Sequence, residues 1–196
     1  MSDPLFDRDD KAAAPLEPDE RSQLIPTYIT TRAQLNEAEQ IGITNADQWA
    51  FARKRDVLSE SFLLNLHRRM FGTVWKWAGD LRTTDRNIGV PAFKIGVELR
   101  ALLDDVRYWT EHATYPPDEI AVRFHHKLVW IHPFPNGNGR HARMAADLLA
   151  VALGRPRFTW GSANPVEPAA TRAQYVAALR AADHHDLWPL IAFARS

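Results

Sequence analysis

Apolar residues recur at helical spacing along most of the chain. Thr31 and Gln34 have the spacing of a capping box, which predicts a short helix to about Gln40, and a second is expected around Asn45 to Arg55. Ser59 should cap a stronger helix, with Phe62, Leu63, Leu66 and Met70 on one stripe before Gly72. Val97, Leu102, Val106 and Trp109 restore the period up to about His112. Pro117 and Asp118 suit a first helical turn, and Ile120, Phe124, Leu128 and Ile131 supply that helix with a buried stripe. Met144, Leu148 and Val151 mark another, closed by Gly154. Thr171 and Gln174 repeat the capping box ahead of Tyr175 and Leu179, and Asp186 is placed to cap a last short helix ending near Ala194. From Trp75 to Phe93 the pattern changes. Asp80, Asp85, Asn87, Gly89 and Pro91 punctuate short apolar or β-branched pieces there, which predicts an irregular hairpin. The expected fold class is all-α, with one small β-hairpin.

Composition narrows the function classes. The 196 residues fit one domain with an appended arm, and residues 1–26, rich in Asp, Glu, Pro and Ala, read as that flexible arm. Apolar residues make up 45%, enough for a packed core. Acidic and basic residues balance at 24 each, so a global basic field for gripping nucleic acid is absent and no direct nucleic-acid partner is expected. Without cysteine, neither a disulfide framework nor a thiolate zinc site is possible. No secretion-signal pattern and no membrane-length apolar run appear, so a cytoplasmic protein with no membrane partner is expected.

The informative stretch is His132-Pro-Phe-Pro-Asn-Gly-Asn-Gly-Arg-His-Ala-Arg143, lying between two predicted helices. Gly137 and Gly139 free the backbone to approach a ligand, and with Asn138 between them consecutive N–H groups can form an anion nest. The helix that starts there adds its own unpaired N–H groups and the positive end of its dipole. Arg140 and Arg143, three apart, fall on roughly one helix face and can hold adjacent phosphates. His132 can titrate near neutrality, as a general base requires. A Gly-x-Gly alone is usually a turn, a His beside Pro is usually structural, and Phe134 reads as a core anchor for the loop. Only the conjunction points to a phosphate ester attacked by a hydroxyl, and it selects neither ATP nor a particular phosphorus.

At these residues the chain resembles the Fic (Fido) family, whose motif reads His-x-Phe-x-(Asp or Glu)-Gly-Asn-Gly-Arg-x-x-Arg; Asn136 is the one fixed position that departs from it. The similarity extends over residues 58–193, taking in Trp77-Ala-Gly79 and Tyr175-Val-Ala-Ala-Leu179, with 27–57 as N-terminal helices of regulatory character. With Pro26-Thr-Tyr-Ile-Thr-Thr-Arg32 upstream, the loop resembles the bacterial subgroup called mobile mystery protein B. The resemblance implies a Fic-type helical bundle with a β-hairpin flap and a protein adenylyltransferase that moves AMP from ATP to a Tyr, Thr or Ser hydroxyl. By that analogy His132 takes the hydroxyl proton, and Gly137, Asn138 and Gly139 line the α/β-phosphate nest. Arg140 would meet the β-phosphate, Arg143 the γ-phosphate, and Tyr175 the adenine. The flap near residues 82–93 would hold the target protein by strand addition. Asn136 stands where the family carries a Mg²⁺-binding acid; an amide brings no negative charge, which implies weaker metal binding and a slower enzyme. Gly139 separates the chain from Doc, a phosphorylating relative with Lys at that position. Glu37 is the candidate autoinhibitory partner for Arg143, although its surroundings miss the family's inhibitory pattern, and an antitoxin-like or regulatory protein is an implied partner. Two alternatives remain open. One is a catalytically weak nucleotide-binding module. The other is a metal hydrolase using His125, His126, His132 and His141, which no His-Glu-x-x-His pattern supports.

Overall fold

A computed structural model describes residues 22–162 and 168–196. Its described residues form α1 (Arg32–Phe51), α2 (Glu60–Phe71), α3 (Ile95–Glu111), α4 (Pro117–Ile131), α5 (Asn138–Ala152), α6 (Pro168–Asp183) and α7 (Trp188–Arg195). α4 and α5 pack against each other at the centre, with α3 and α7 on α4, α2 on α5, and α1 across α2 and α5. Trp75, Phe71, Phe124 and Phe134 are the bulkiest of the fully buried side chains. No helix among the described residues is long and apolar enough to cross a membrane.

The all-α class holds, and the start signals at Thr31 and Ser59 behave as expected. Thr31 Oγ1 accepts from the Gln34 N–H at 3.3 Å while the Gln34 side chain accepts from the Thr31 N–H at 3.1 Å, closing the capping box. Ser59 caps α2 through the Phe62 N–H at 3.1 Å. Two other helix boundaries differ from expectation. The two helices expected over 31–40 and 45–55 are one, because Gly42 continues α1 instead of breaking it. A Cβ there would lie 2.3 Å from the Met70 carbonyl oxygen, so glycine allows α1 to lie against the end of α2. The second Thr-Arg-Ala-Gln is no cap, since α6 begins at Pro168, upstream of Thr171.

The hairpin expected between Trp75 and Phe93 does not form. Among the described residues the only strand-like pairing is one antiparallel bridge, Leu24 to Trp75. The apolar pieces between the turn residues are too short for a ladder, and side chains take over part of its role. Asp85 Oδ1 accepts the Ala92 N–H at 2.7 Å, and Arg82 is hydrogen-bonded to carbonyls on either side. The arm expected over 1–26 lies mostly outside the described residues. Its described end is docked: the Ile25 N–H donates to Val74 and the Lys76 N–H to Gln23, at 2.9 and 3.0 Å.

Candidate functional site

The end of α4 and the start of α5 face one another across residues 133–137. His132 terminates α4 in the left-handed region, at φ 54 and ψ 60, a conformation that costs a non-glycine residue about 1–2 kcal/mol. The connection is closed by two reciprocal hydrogen bonds of 2.9 Å, Phe134 N–H to Asn138 Oδ1 and Asn138 Nδ2 to the Phe134 carbonyl. The Asn138 side chain is therefore a loop clasp. What this residue can offer an anion is its backbone N–H.

That N–H and those of Gly139 and Arg140 open α5, and among the described residues none of the three meets an acceptor. The first intrahelical bond of the turn is His141 N–H to the Gly137 carbonyl, 3.0 Å. Gly137 makes the turn possible. Its φ is 78, and a Cβ would fall 2.6 Å from the Phe71 ring. Gly139 has more room, since a Cβ there would stop 3.5 Å from the Tyr175 hydroxyl. Tyr175 thus sits beside the open helix end, with its hydroxyl 3.1 Å from His125 Nε2 and burial pushing it up to about 12.

The two motif arginines differ. Arg140 packs over the Phe71 ring and pairs with Glu39 at 2.7 Å, while the other oxygen of Glu39 accepts the Trp75 indole N–H, also at 2.7 Å. Arg143 lies over the Tyr175 ring, 5.4 Å from its centroid, and has no carboxylate partner among the described residues. Glu37 is exposed on α1, two residues from the acid that does reach the motif. Asn136 Oδ1 accepts the Gly137 N–H at 2.6 Å, so the amide turns back onto the loop.

Burial pulls His132 down from its usual range to about 4, helped by the positive charges of Arg82 and Arg86 and opposed by the Val129 carbonyl. The ring is neutral at pH 7 and able to accept a proton.

Four other histidines make structural contacts. His67 Nε2 donates to the Asn136 carbonyl at 3.0 Å, its Nδ1 accepts the Gly79 N–H at 3.0 Å, and the ring stacks 3.7 Å from Phe134. It is the pillar under the loop. Its place on the buried stripe of α2, four residues after Leu63, was the signal in the sequence. His141 Nε2 donates to the Leu63 carbonyl at 3.0 Å, and His126 meets Asp183 at 2.8 Å. With His125 on Tyr175, these histidines do not converge, and no cluster of three metal-ligating side chains exists among the described residues. The geometry gives the metal-hydrolase alternative no support. Glu39 also had a signal, an acid on the otherwise small and apolar stripe Leu35, Gly42, Ala46 and Ala50. Arg82, which holds the His132 carbonyl, had none.

An all-helical domain with a neutral imidazole at one helix end and an open, arginine-flanked helix start at the other is the class defined here. Residues 57–150 match the family described as Fic/DOC. The protein adenylyltransferase fic-1 of Caenorhabditis elegans is 32% identical over 146 residues, 72% of this chain and 27% of its own length. The protein adenylyltransferase Fic of Drosophila grimshawi is 30% identical over 135 residues, 67% of this chain and 26% of its own. Among solved structures, Fic-1 (aa134–508) from C. elegans is 29% identical with a TM-score of 0.64, covering 90% of this chain and 51% of that one. BepC of Bartonella tribocorum, 16% identical with a TM-score of 0.68 over 91% of this chain and 97% of its own, shares the fold. This chain belongs to the Fic/DOC family through its residues 57–150, and it spans about a quarter of the curated relatives it matches.

Proposed function

We propose that the chain transfers AMP from ATP to a protein hydroxyl. The observation that carries this reading is the open start of α5: three unsatisfied N–H groups, of Asn138, Gly139 and Arg140, on the helix that carries Arg140 and Arg143 and one short loop away from a neutral imidazole. Phosphates would sit on the N–H groups of Asn138, Gly139 and Arg140, with Arg143 on the outer phosphate and Tyr175 beside the nucleotide. His132 would accept the proton of the incoming hydroxyl. The hydroxyl oxygen would bond to the α-phosphorus as its bond to pyrophosphate breaks. An imidazole near 4 is a weak base; burial is the main cause, and the phosphate charge of bound ATP would offset the smaller part that Arg82 and Arg86 contribute. The adenylyltransferase names of the C. elegans and Drosophila relatives support the reading.

The target would approach over the 82–93 segment. Gly89 lies against His132, since a Cβ there would be 2.5 Å from His132 Cβ, and its neighbour Ile88 is half exposed. Phe93, 82% exposed, and Val97, 62% exposed, follow at the start of α3. Apolar residues flanking the accepting hydroxyl would suit this surface. A target strand added to the flap would have to form its own pairing, because the free segment carries no ladder. The motif and its upstream segment favour an antitoxin-like partner and kinship with mobile mystery protein B, and a sequence without cysteine suits a reducing cytoplasm.

The donor set does not build a Mg²⁺ site. Such sites rest on one or two carboxylates plus substrate phosphates, whereas the loop offers one amide oxygen already bonded to the Gly137 N–H.

With α-labelled ATP and a cell lysate, the wild type should label protein, and His132→Ala should lower the rate by about 10²–10⁴-fold. Equal labelling by both removes His132 as the base. ATP binding with no labelling by the wild type leaves the binding-module alternative.

Glu39 suggests restraint of the same site. Its carboxylate holds the guanidinium that would otherwise turn to phosphate, so the role expected of Glu37 and Arg143 falls instead to Glu39 and Arg140. Glu39→Gln keeps an acceptor for the Trp75 indole and removes the charge; it should tighten ATP binding roughly 3–10-fold, the scale of about 1 kcal/mol. Unchanged affinity in titration calorimetry would make the pair purely structural.

A further inference from the structure

We propose that Arg82 is a positioning residue that binds the backbone of His132 and the 82–90 segment into one unit, coupling what docks on that segment to the orientation of the base. The proposal rests on the reading of His132 as general base.

Arg82 is 4% exposed, and the acceptors around its guanidinium are backbone carbonyls. Nε donates to His132 at 2.7 Å and Nη1 to Thr84 at 2.9 Å, while Nη2 reaches Val90 and, at 3.4 Å, Ile131. Its own N–H donates to the Pro133 carbonyl at 2.9 Å, and the Val90 N–H donates to Ile131 at 3.3 Å. One planar fork therefore satisfies carbonyls at the end of α4 and carbonyls of the segment folded over it.

Two features make this more than a buried hydrogen-bond network. Ile131 and His132 are the last carbonyl of α4 and that of its left-handed cap, so a cation there offsets the negative end of the helix dipole as a basic C-cap does. His132 lacks the glycine that usually adopts this backbone, and the guanidinium on its carbonyl is among the contacts that hold the strain. The close approach of Gly89 to His132 Cβ is fixed by the same fork through Val90. Movement of the segment must therefore be felt at the imidazole.

The charged groups facing His132 are Arg82 and Arg86, and both disfavour the imidazolium; Asp85 lies close to Arg82 and stabilises its charge. A geometric role and a charge role can be separated. Lysine keeps the charge but cannot span the carbonyls that the fork reaches. Glutamine loses both.

The test uses NMR titration of the His132 ring together with AMP-transfer kinetics, on the wild type, Arg82→Gln and Arg82→Lys, with folding checked by melting. Arg82→Gln should raise the titration of the ring above about 4, while Arg82→Lys leaves it in place. Both should lower kcat by about 10–100-fold, as a misplaced catalytic group does, with KM for ATP within about twofold of wild type. A folded Arg82→Gln whose ring titrates as in the wild type, or an Arg82→Lys with wild-type kcat, overturns the proposal. A residue needed only for folding would lower the melting temperature without moving the ring titration. If Arg82→Gln does not fold, the kcat of Arg82→Lys decides. If the wild type transfers no AMP, the AMP-transfer reading fails, and the ring titration still judges Arg82.

Discussion

The two helix ends that flank residues 133–137 are finished in opposite ways. At the end of α4 the carbonyls of Ile131 and His132 are met by a buried arginine and by the Val90 N–H. At the start of α5 the donors of Asn138, Gly139 and Arg140 meet nothing among the described residues. Helix ends always leave such groups behind, and the cheap solution is to cap both. This chain has an asparagine at the open end, yet that side chain is spent on the loop at Phe134. The difference separates a fixed end from a receptive one, and an incoming anion is the natural cap for the second.

The largest expected effect comes from acid, which strikes the supports of both ends. His132 and His141 stand at about 4, and burial holds His67 and His125 well below the usual range. Unfolded, each would titrate near 6.5, so between about pH 6.5 and 4 the unfolded chain holds protons that the folded chain refuses. Stability is complete above that window and falls as pH drops through it. His141 alone amounts to a loss of order 3 kcal/mol by about pH 4. Protonation of His67 would also remove the acceptor for Gly79 and place a cation near Arg140. Chemical denaturation from pH 8 to 4 should show this decline; a flat profile would mean that these rings are accessible to water.

The glycines sharpen the contrast at the receptive end. Gly137→Ala must strain a φ of 78 and push into Phe71, at a cost of about 1–3 kcal/mol, and it should weaken ATP binding by moving the N–H groups. Gly139→Ala meets only ordinary contact with Tyr175 and should melt within a few degrees of wild type. Equal melting losses in the two variants would show that the turn is not shaped as described.

The receptive end was legible in the sequence because its parts are neighbours: two glycines, two arginines and a histidine between helices with clear periodicity. The capping box at Thr31 was local too. The fixed end was not legible. Arg82 lies 50 positions before His132 in a run of turn residues, and nothing in its surroundings names the carbonyls that it reaches. The same distance hid the pairing of Glu39 with Arg140, 101 positions apart, and led the reading to Glu37. The continuity of α1 depended on distance as well, since Gly42 lets the helix run on in close approach to Met70, 28 positions further along the chain. The hairpin failed because turn residues mark where a chain bends without saying whether the pieces between them are long enough to pair.

The smallest expected effect falls on the loop itself, at Asn136. Its amide oxygen accepts the Gly137 N–H at 2.6 Å and so helps to hold the turn that aims the α5 donors. Asn136→Asp is nearly isosteric, keeps an acceptor there and adds a negative charge beside the open helix end. Without divalent cation that charge repels phosphate, and ATP binding should weaken by a few-fold, about 1 kcal/mol. With Mg²⁺ the new carboxylate can share the ion with the phosphates, and AMP transfer should rise above wild type while becoming steeply Mg²⁺-dependent. The sign of the change should therefore reverse with the ion. Asn136→Asp that matches wild type in affinity and rate, with Mg²⁺ and without it, would place residue 136 outside the anion's reach and confine it to shaping the turn.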